Sequence, residues 1–121
     1  MQVPWFWPFG QVAELSPLEL QTELGRNGHS QYQLIDVREQ VEFRRGHIAG
    51  ARNIPLHELP QRLETLDLDP RRPVVAICLS GHRSIPAYRL LRQKGYRVYS
   101  LRGGMMNWWR AQGTSTREAS R

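Results

Sequence analysis

Pro73-Val74-Val75-Ala76-Ile77-Cys78-Leu79-Ser80-Gly81-His82-Arg83-Ser84 is the stretch whose reading decides the fold. Its first half, through Cys78, is the most apolar run in the chain and reads as a central, buried strand. A short polar loop containing Gly81 follows. From Arg83 to Lys94 the pattern turns helical, with Ile85, Leu90 and Leu91 on one side and a stop at Gly95. Strand, tight loop and helix thus succeed one another within about twenty residues.

The same alternation extends in both directions. Upstream, Val12 to Leu15 predicts a short strand. Ser16-Pro17-Leu18-Glu19 predicts a helix start, with Ser as N-cap, Pro in the first turn and Glu three residues after the cap. That helix runs to about Leu24 and ends at Gly25 or Gly28. Gln33 to Val37 reads as a buried strand, Glu39 to Arg45 as a short helix stopped by Gly46, and Ala51 to Ile54 as a short strand closed by Pro55. Leu59, Leu63 and Leu66 have helical spacing. Downstream, Tyr96 to Leu101 is a strand, and Gly103-Gly104 opens a last helix carrying Met105, Met106, Trp108 and Trp109. The tail from Gly113 is small and polar, and is expected to fray. Strands alternating with helices through short loops indicate an α/β fold with a largely parallel sheet. Such sheets bind ligands at the carboxyl ends of their strands, which points to Asp36-Val37-Arg38 and to Cys78 through Ser84.

Length and composition fit one domain. The 121 residues are 40% hydrophobic and 23% charged, ordinary values for a globular chain. One cysteine excludes an intrachain disulfide and a Cys-rich zinc site. No apolar run approaches the ~20 residues of a membrane span. The N-terminus lacks the pattern of a signal peptide, so a reducing cytoplasm is the expected location.

Charge is unevenly placed. Residues 1–60 carry five Arg against seven acids, and residues 61–121 carry twelve bases against four acids. No acidic residue lies between Asp69 and Glu118. An Arg-rich half attracts an anionic substrate, an acidic partner protein or RNA, or is simply a solvated surface. Residues 1–10, with Trp5, Phe6, Trp7 and Phe9 between Pro4 and Gly10, form an aromatic extension. Docking on a partner or a membrane surface is one reading. A tail folded over an apolar patch of its own domain is the preferred one.

The chemistry belongs to the loop after Cys78. A tight turn at a strand end points backbone N–H groups at one spot. The following helix adds partial positive charge at its N-terminus, and Arg83 adds a full one. All three favour thiolate over thiol and make Cys78 a nucleophile. The same loop cradles a small anion such as a persulfide, a thiosulfate or a phosphate. Without the glycine turn and the arginine, Cys78 would read as a small buried hydrophobe.

Cys78-Leu79-Ser80-Gly81-His82-Arg83-Ser84 resembles the active-site loop of single-domain rhodaneses. Leu34-Ile35-Asp36-Val37-Arg38, Glu42-Phe43 and Gly46-His47-Ile48-Ala49-Gly50-Ala51-Arg52-Asn53-Ile54-Pro55 resemble an upstream signature of that family. Gly95-Tyr96 and Leu101-Arg102-Gly103-Gly104-Met105, with Trp108 or Trp109 after, resemble its C-terminal one. Four motifs in order cover about residues 11–113, leaving a polar tail over 114–121. The resemblance implies a three-layer α/β/α domain with a five-stranded, mostly parallel sheet. It implies sulfur transfer through a persulfide on Cys78, from thiosulfate or another persulfide donor to cyanide or a thiol. It implies no metal and no organic cofactor.

Roles follow residue by residue. Cys78 is the expected nucleophile. Arg83 pairs with the anionic end of the donor or with the persulfide. Leu79, Ser80, Gly81, His82 and Ser84 shape the substrate loop, with His82 pointing to water. Asp36, Arg38, Glu42 and His47 are expected to support the loop. Asp36 and Arg38 alternate on their strand, so a direct meeting needs a bend; the expected arrangement pairs Arg38 with Glu42 and leaves Asp36 to backbone groups or to the loop. His47 either lines the pocket mouth or, as preferred, is buried and satisfies backbone groups between Gly46 and Gly50. Phosphatases of the rhodanese fold place Arg six positions after Cys, often with His before it. Here Arg83 is five after Cys78 and Ile77 precedes it, so sulfur chemistry is favoured over phosphatase or arsenate-reductase chemistry. A delivery module that takes sulfur from another protein and passes it on, with little activity toward small donors, is the alternative.

Overall fold

A computed structural model describes residues 12–25, 30–82 and 84–119. The aromatic extension over residues 1–10 and the Arg83 position lie outside the described residues. Within them the strands are β1 (Glu14–Leu15), β2 (Gln33–Asp36), β3 (Arg52–Asn53), β4 (Val74–Ile77) and β5 (Val98–Leu101). They form one sheet in the order β1-β5-β4-β2-β3, and every pairing is parallel. The central β4 is buried along its whole length, as its uninterrupted apolar run requires.

The helices are α1 (Pro17–Leu24), α2 (Gln40–Arg45), α3 (Leu59–Arg62), α4 (Ser84–Gln93) and α5 (Gly104–Ala119). Strand alternation sorts the core into two layers. Val74, Ala76 and Cys78 point to one face with Ile35, Val37 and Val98, under Leu59 of α3 and Ala87, Tyr88 and Leu91 of α4. Val75 and Ile77 point to the other face with Leu34 and Leu101, under Leu20 of α1 and Met105 and Trp108 of α5. The three-layer α/β/α arrangement follows directly.

Local chemistry sets the boundaries. Ser16 Oγ accepts from the Glu19 amide at 3.1 Å, and the Glu19 carboxylate accepts from the Ser16 amide at 2.9 Å. The capping box expected for α1 is therefore complete, and Gly25 caps the far end. The strands are shorter at their ends than the sequence predicts. β5 begins at Val98 because the Tyr96 amide still serves the end of α4, donating to the Leu91 carbonyl at 3.2 Å. Leu66 falls outside the helix that its spacing predicts, since α3 closes after one turn at Arg62. At the other extreme, α5 continues through Gly113 to Ala119, where the sequence predicts fraying. Once a helix is nucleated, each further residue adds a backbone hydrogen bond. No helix among the described residues is long and apolar enough to cross a membrane.

Candidate active site

Cys78 is the first residue beyond β4 and is buried, with 1% of its surface exposed. The chain then turns sharply, and Gly81 adopts φ +102°, a conformation that side chains resist. The turn brings the Gly81 N–H onto the sulfur, with N to Sγ at 2.8 Å. Ser84 opens α4, and its buried hydroxyl lies 3.6 Å from Cys78 Sγ and donates to the Gly81 carbonyl at 3.0 Å. The loop thus folds around the sulfur, with a backbone donor on one side and the N-terminus of α4 on the other.

The opposite side of the loop is held by α5. The Met105 amide donates to the Cys78 carbonyl at 2.8 Å, and the Met106 amide donates to the Leu79 carbonyl at 2.9 Å. These are amides of the first turn, which have no acceptor within their own helix. The two loop carbonyls therefore cap α5. Gly104 makes the approach possible: a β-carbon there would collide with the Cys78 carbonyl and the Leu79 backbone. The double glycine read from sequence as a tight turn is also the place where α5 and the Cys78 loop touch.

The remaining loop residues divide by exposure. Leu79 is half-buried, while Ser80 and His82 face solvent. Ser80 Oγ and His82 Nδ1 lie 3.2 Å apart, so His82 reaches water but also holds the turn. Arg83 lies outside the described residues, and its role remains the expectation drawn from the loop motif.

At the end of β2 the structure corrects one expectation. The Arg38 ion pair is with Asp36; Arg38 reaches Glu42 only at its backbone carbonyl, with Nη1 3.5 Å away. Arg38 Nη2 lies 2.8 Å from Asp36 Oδ2 and Nε lies 2.9 Å from Oδ1, with both side chains essentially removed from solvent. The cause is a bend. The Asp36 carboxylate also accepts from the Arg38 backbone N–H at 3.1 Å, folding the chain back so that residues two apart meet. The guanidinium also donates to the Gly46 carbonyl at 2.8 Å and lies over the Trp109 ring, 5.7 Å from its centroid. Glu42 instead accepts from the Glu39 amide at 2.9 Å and completes the start of α2. The Val37 amide bonds to the Ile77 carbonyl at 2.8 Å, tying this corner to the strand that carries Cys78.

His47 is a second correction. It is exposed rather than buried. It stacks on Phe43 with ring centroids 3.7 Å apart, and its Nδ1 lies 2.8 Å from the Phe43 carbonyl. Residues four apart face each other on a helix, and here the contact continues past the end of α2.

Two contributors escaped the sequence reading. Asn53 donates from one amide group to the carbonyls of Asp36 and Arg38, at 3.0 and 2.9 Å, and so fixes the bend. Ser100, on β5, lies 2.6 Å from the Ser84 hydroxyl and is 2% exposed. A polar residue two positions after Val98 in an apolar strand was the available signal, because alternation sends both to the same buried face.

A cavity of about 750 Å³ opens elsewhere, between the end of α1, the start of β2, the Gly46–Gly50 turn and α5. Tyr32, Trp108 and Trp109 line it, whereas Cys78 does not. Burial, then the neighbouring Tyr99, raises the Tyr32 hydroxyl above the ordinary tyrosine value. None of the described residues of the Cys78–Ser84 loop lines it; its wall mixes the aromatic rings with the polar side chains of Gln21, Ser30, His47 and Gln112.

Comparison with known proteins agrees with the fold. The model of the rhodanese-like domain matches residues 16–111. The uncharacterized protein YqhL of Bacillus subtilis is 46% identical over 84 residues, 69% of this chain and 65% of that protein. The thiosulfate sulfurtransferase GlpE of Stutzerimonas stutzeri is 38% identical over 76 residues, 62% of this chain and 68% of that protein. Among solved structures, a rhodanese-related protein from Thermoplasma volcanium superposes with a TM-score of 0.72 at 28% identity, covering 82% of this chain and 92% of that one.

Proposed function

The chain belongs to the rhodanese-like domain family, whose named relatives here include sulfurtransferases, and from that premise we propose that it carries sulfane sulfur as a persulfide on Cys78. The observation that carries the reading is the Gly81 N–H set 2.8 Å from Sγ of a cysteine at a strand end. A donor in that place stabilises negative charge on sulfur, as an oxyanion hole does on oxygen.

The first half-reaction is a displacement at sulfur. The Cys78 thiolate attacks the outer sulfur of thiosulfate. The bond between the two sulfurs of thiosulfate breaks, its electron pair leaves with sulfite, and the persulfide keeps one negative charge. In the second half-reaction cyanide or a thiolate attacks the outer persulfide sulfur, and Cys78 leaves as thiolate. Each half-reaction conserves charge and needs no proton transfer to an external base. The burial of Cys78 limits contact with bulk water, so the persulfide survives between the two steps. Arg83, from the loop motif, is the residue proposed to bind the sulfonate end of the donor.

Steady-state formation of thiocyanate from thiosulfate and cyanide tests the proposal. The expected kinetics are ping-pong, with parallel double-reciprocal lines, and no turnover by folded Cys78→Ser. Turnover by that variant at the wild-type rate would overturn it. A protein inactive with thiosulfate but loaded by a protein persulfide would instead be a delivery module.

A further inference from the structure

Ser100 completes a buried hydroxyl chain behind the nucleophile. Alternation and register put it there. Ser100 faces Ala76 across the β4–β5 pairing, and Cys78 is two residues beyond Ala76 on the same side of the sheet. Ser84, at the start of α4, closes the space above them. The distances are 2.6 Å from Ser100 Oγ to Ser84 Oγ and 3.6 Å from Ser84 Oγ to Cys78 Sγ. Ser84 and Ser100 are 0% and 2% exposed, so water does not compete for these groups.

Counting protons fixes the direction of the chain. A serine hydroxyl has one hydrogen and two lone pairs. Ser84 uses its hydrogen on the Gly81 carbonyl at 3.0 Å. The short contact with Ser100 then has Ser100 as donor. The second lone pair of Ser84 accepts from the Cys78 thiol. With the thiol present, Ser84 is fully satisfied. When the sulfur is anionic it has no hydrogen to give. Rotation about the Cβ–Oγ bond of Ser84 turns its hydrogen from the Gly81 carbonyl to the sulfur. Ser100 still donates to Ser84 after this rotation and polarises the bond that faces the anion.

We propose that Ser100 is a positioning residue for the reaction: it orients and polarises the Ser84 hydroxyl, so that Ser84 donates to Cys78 sulfur whenever that sulfur carries charge. The proposal rests on Cys78 acting as the anionic nucleophile of the preceding section. Ser100 touches no substrate and acts only through Ser84.

The test reads the nucleophile directly, without a sulfur donor. Alkylation of Cys78 by iodoacetamide at fixed pH is timed in wild type, Ser100→Ala, Ser84→Ala and the double variant, each checked for a wild-type near-ultraviolet circular dichroism spectrum. Ser100→Ala is expected to slow alkylation by about 3- to 10-fold, the range that the net contribution of one ordinary hydrogen bond spans. The double variant is expected to react no more slowly than Ser84→Ala, because Ser100 has no other route to the sulfur. Ser100→Thr and Ser100→Val provide a near-isosteric pair that differs in the hydroxyl and covers the case in which Ser100→Ala does not fold. Thr is expected to react faster than Val. Equal rates for Thr and Val, or independent slowing by the two alanine substitutions, would assign the effect to packing and overturn the proposal. Thiocyanate kinetics on the same variants, with kcat reduced and thiosulfate KM little changed, carry the effect into turnover. If the alkylation pattern holds while thiosulfate gives no persulfide, the hydroxyl chain stands and the sulfur-transfer reading fails.

Discussion

Gly104 and Cys78 are in backbone contact: the α-carbon of Gly104 lies where any β-carbon would strike the Cys78 carbonyl oxygen and the Leu79 peptide. Its φ of +62° adds a second reason for glycine. The helix amides that follow hold the two carbonyls, and the contact therefore sets the position of the loop that carries Cys78.

Gly104→Ala is expected to displace the loop and to reduce sulfur transfer on the order of 100-fold, the scale that a 1 Å misplacement of reacting groups produces. The left-handed backbone alone costs about 1–2 kcal/mol for a side chain. Thiocyanate assays alongside thermal unfolding check both effects. A folded variant with wild-type activity would show that the contact does not position Cys78.

Asp36 and Arg38 form the buried ion pair that supports the neighbouring strand end. Arg38→Met leaves the Asp36 carboxylate buried without its partner, and the expected loss of stability is about 3–5 kcal/mol. Urea unfolding of the variant measures it. A loss below about 1 kcal/mol, the worth of an exposed pair, would mean that the site relaxes and rehydrates.

These two relationships differ in how far the sequence exposes them. Gly103-Gly104 before an amphipathic helix reads as a turn, and the apolar run into Cys78 reads as a central strand; both signals are local. The capping box of Ser16 and Glu19 is local too. The Asp36–Arg38 pair is not, because strand alternation separates the side chains until a bend defined by the Asp36 carboxylate and by Asn53 brings them together. Exposure of His47 depends equally on what packs around it in space. Ser100 becomes a neighbour of Ser84 only through the strand register, and a single chain does not display that register.

The α1 cap gives a pH dependence with a defined sign. Hydrogen bonds from the Ser16 backbone, then the Ser16 side chain, lower the Glu19 carboxyl below its ordinary value of 4.5. The contribution is therefore present above that value and is lost as pH falls through the lowered one. Glu19→Gln is expected to flatten the stability profile in this acid window. Ser16→Ala is expected to cost about 1 kcal/mol at neutral pH, as loss of an N-cap does. Chemical unfolding from neutral to acid pH reads both effects. An unchanged acid limb in Glu19→Gln would remove this carboxylate from the balance.

Arg83→Ala is expected to raise the KM for thiosulfate about tenfold or more, the scale of a lost charge-assisted hydrogen bond, with little change in unfolding temperature. Steady-state kinetics over a wide range of thiosulfate separate KM from kcat. An unchanged KM would take Arg83 out of donor binding.

Intact mass spectrometry of the reduced protein after incubation with thiosulfate tests the persulfide most directly. The wild type is expected to gain the mass of one sulfur atom and to lose it on addition of cyanide, while folded Cys78→Ser gains none. A sulfur adduct that persists in Cys78→Ser, or its absence from folded, reduced wild type under thiosulfate, would contradict transfer from thiosulfate through Cys78.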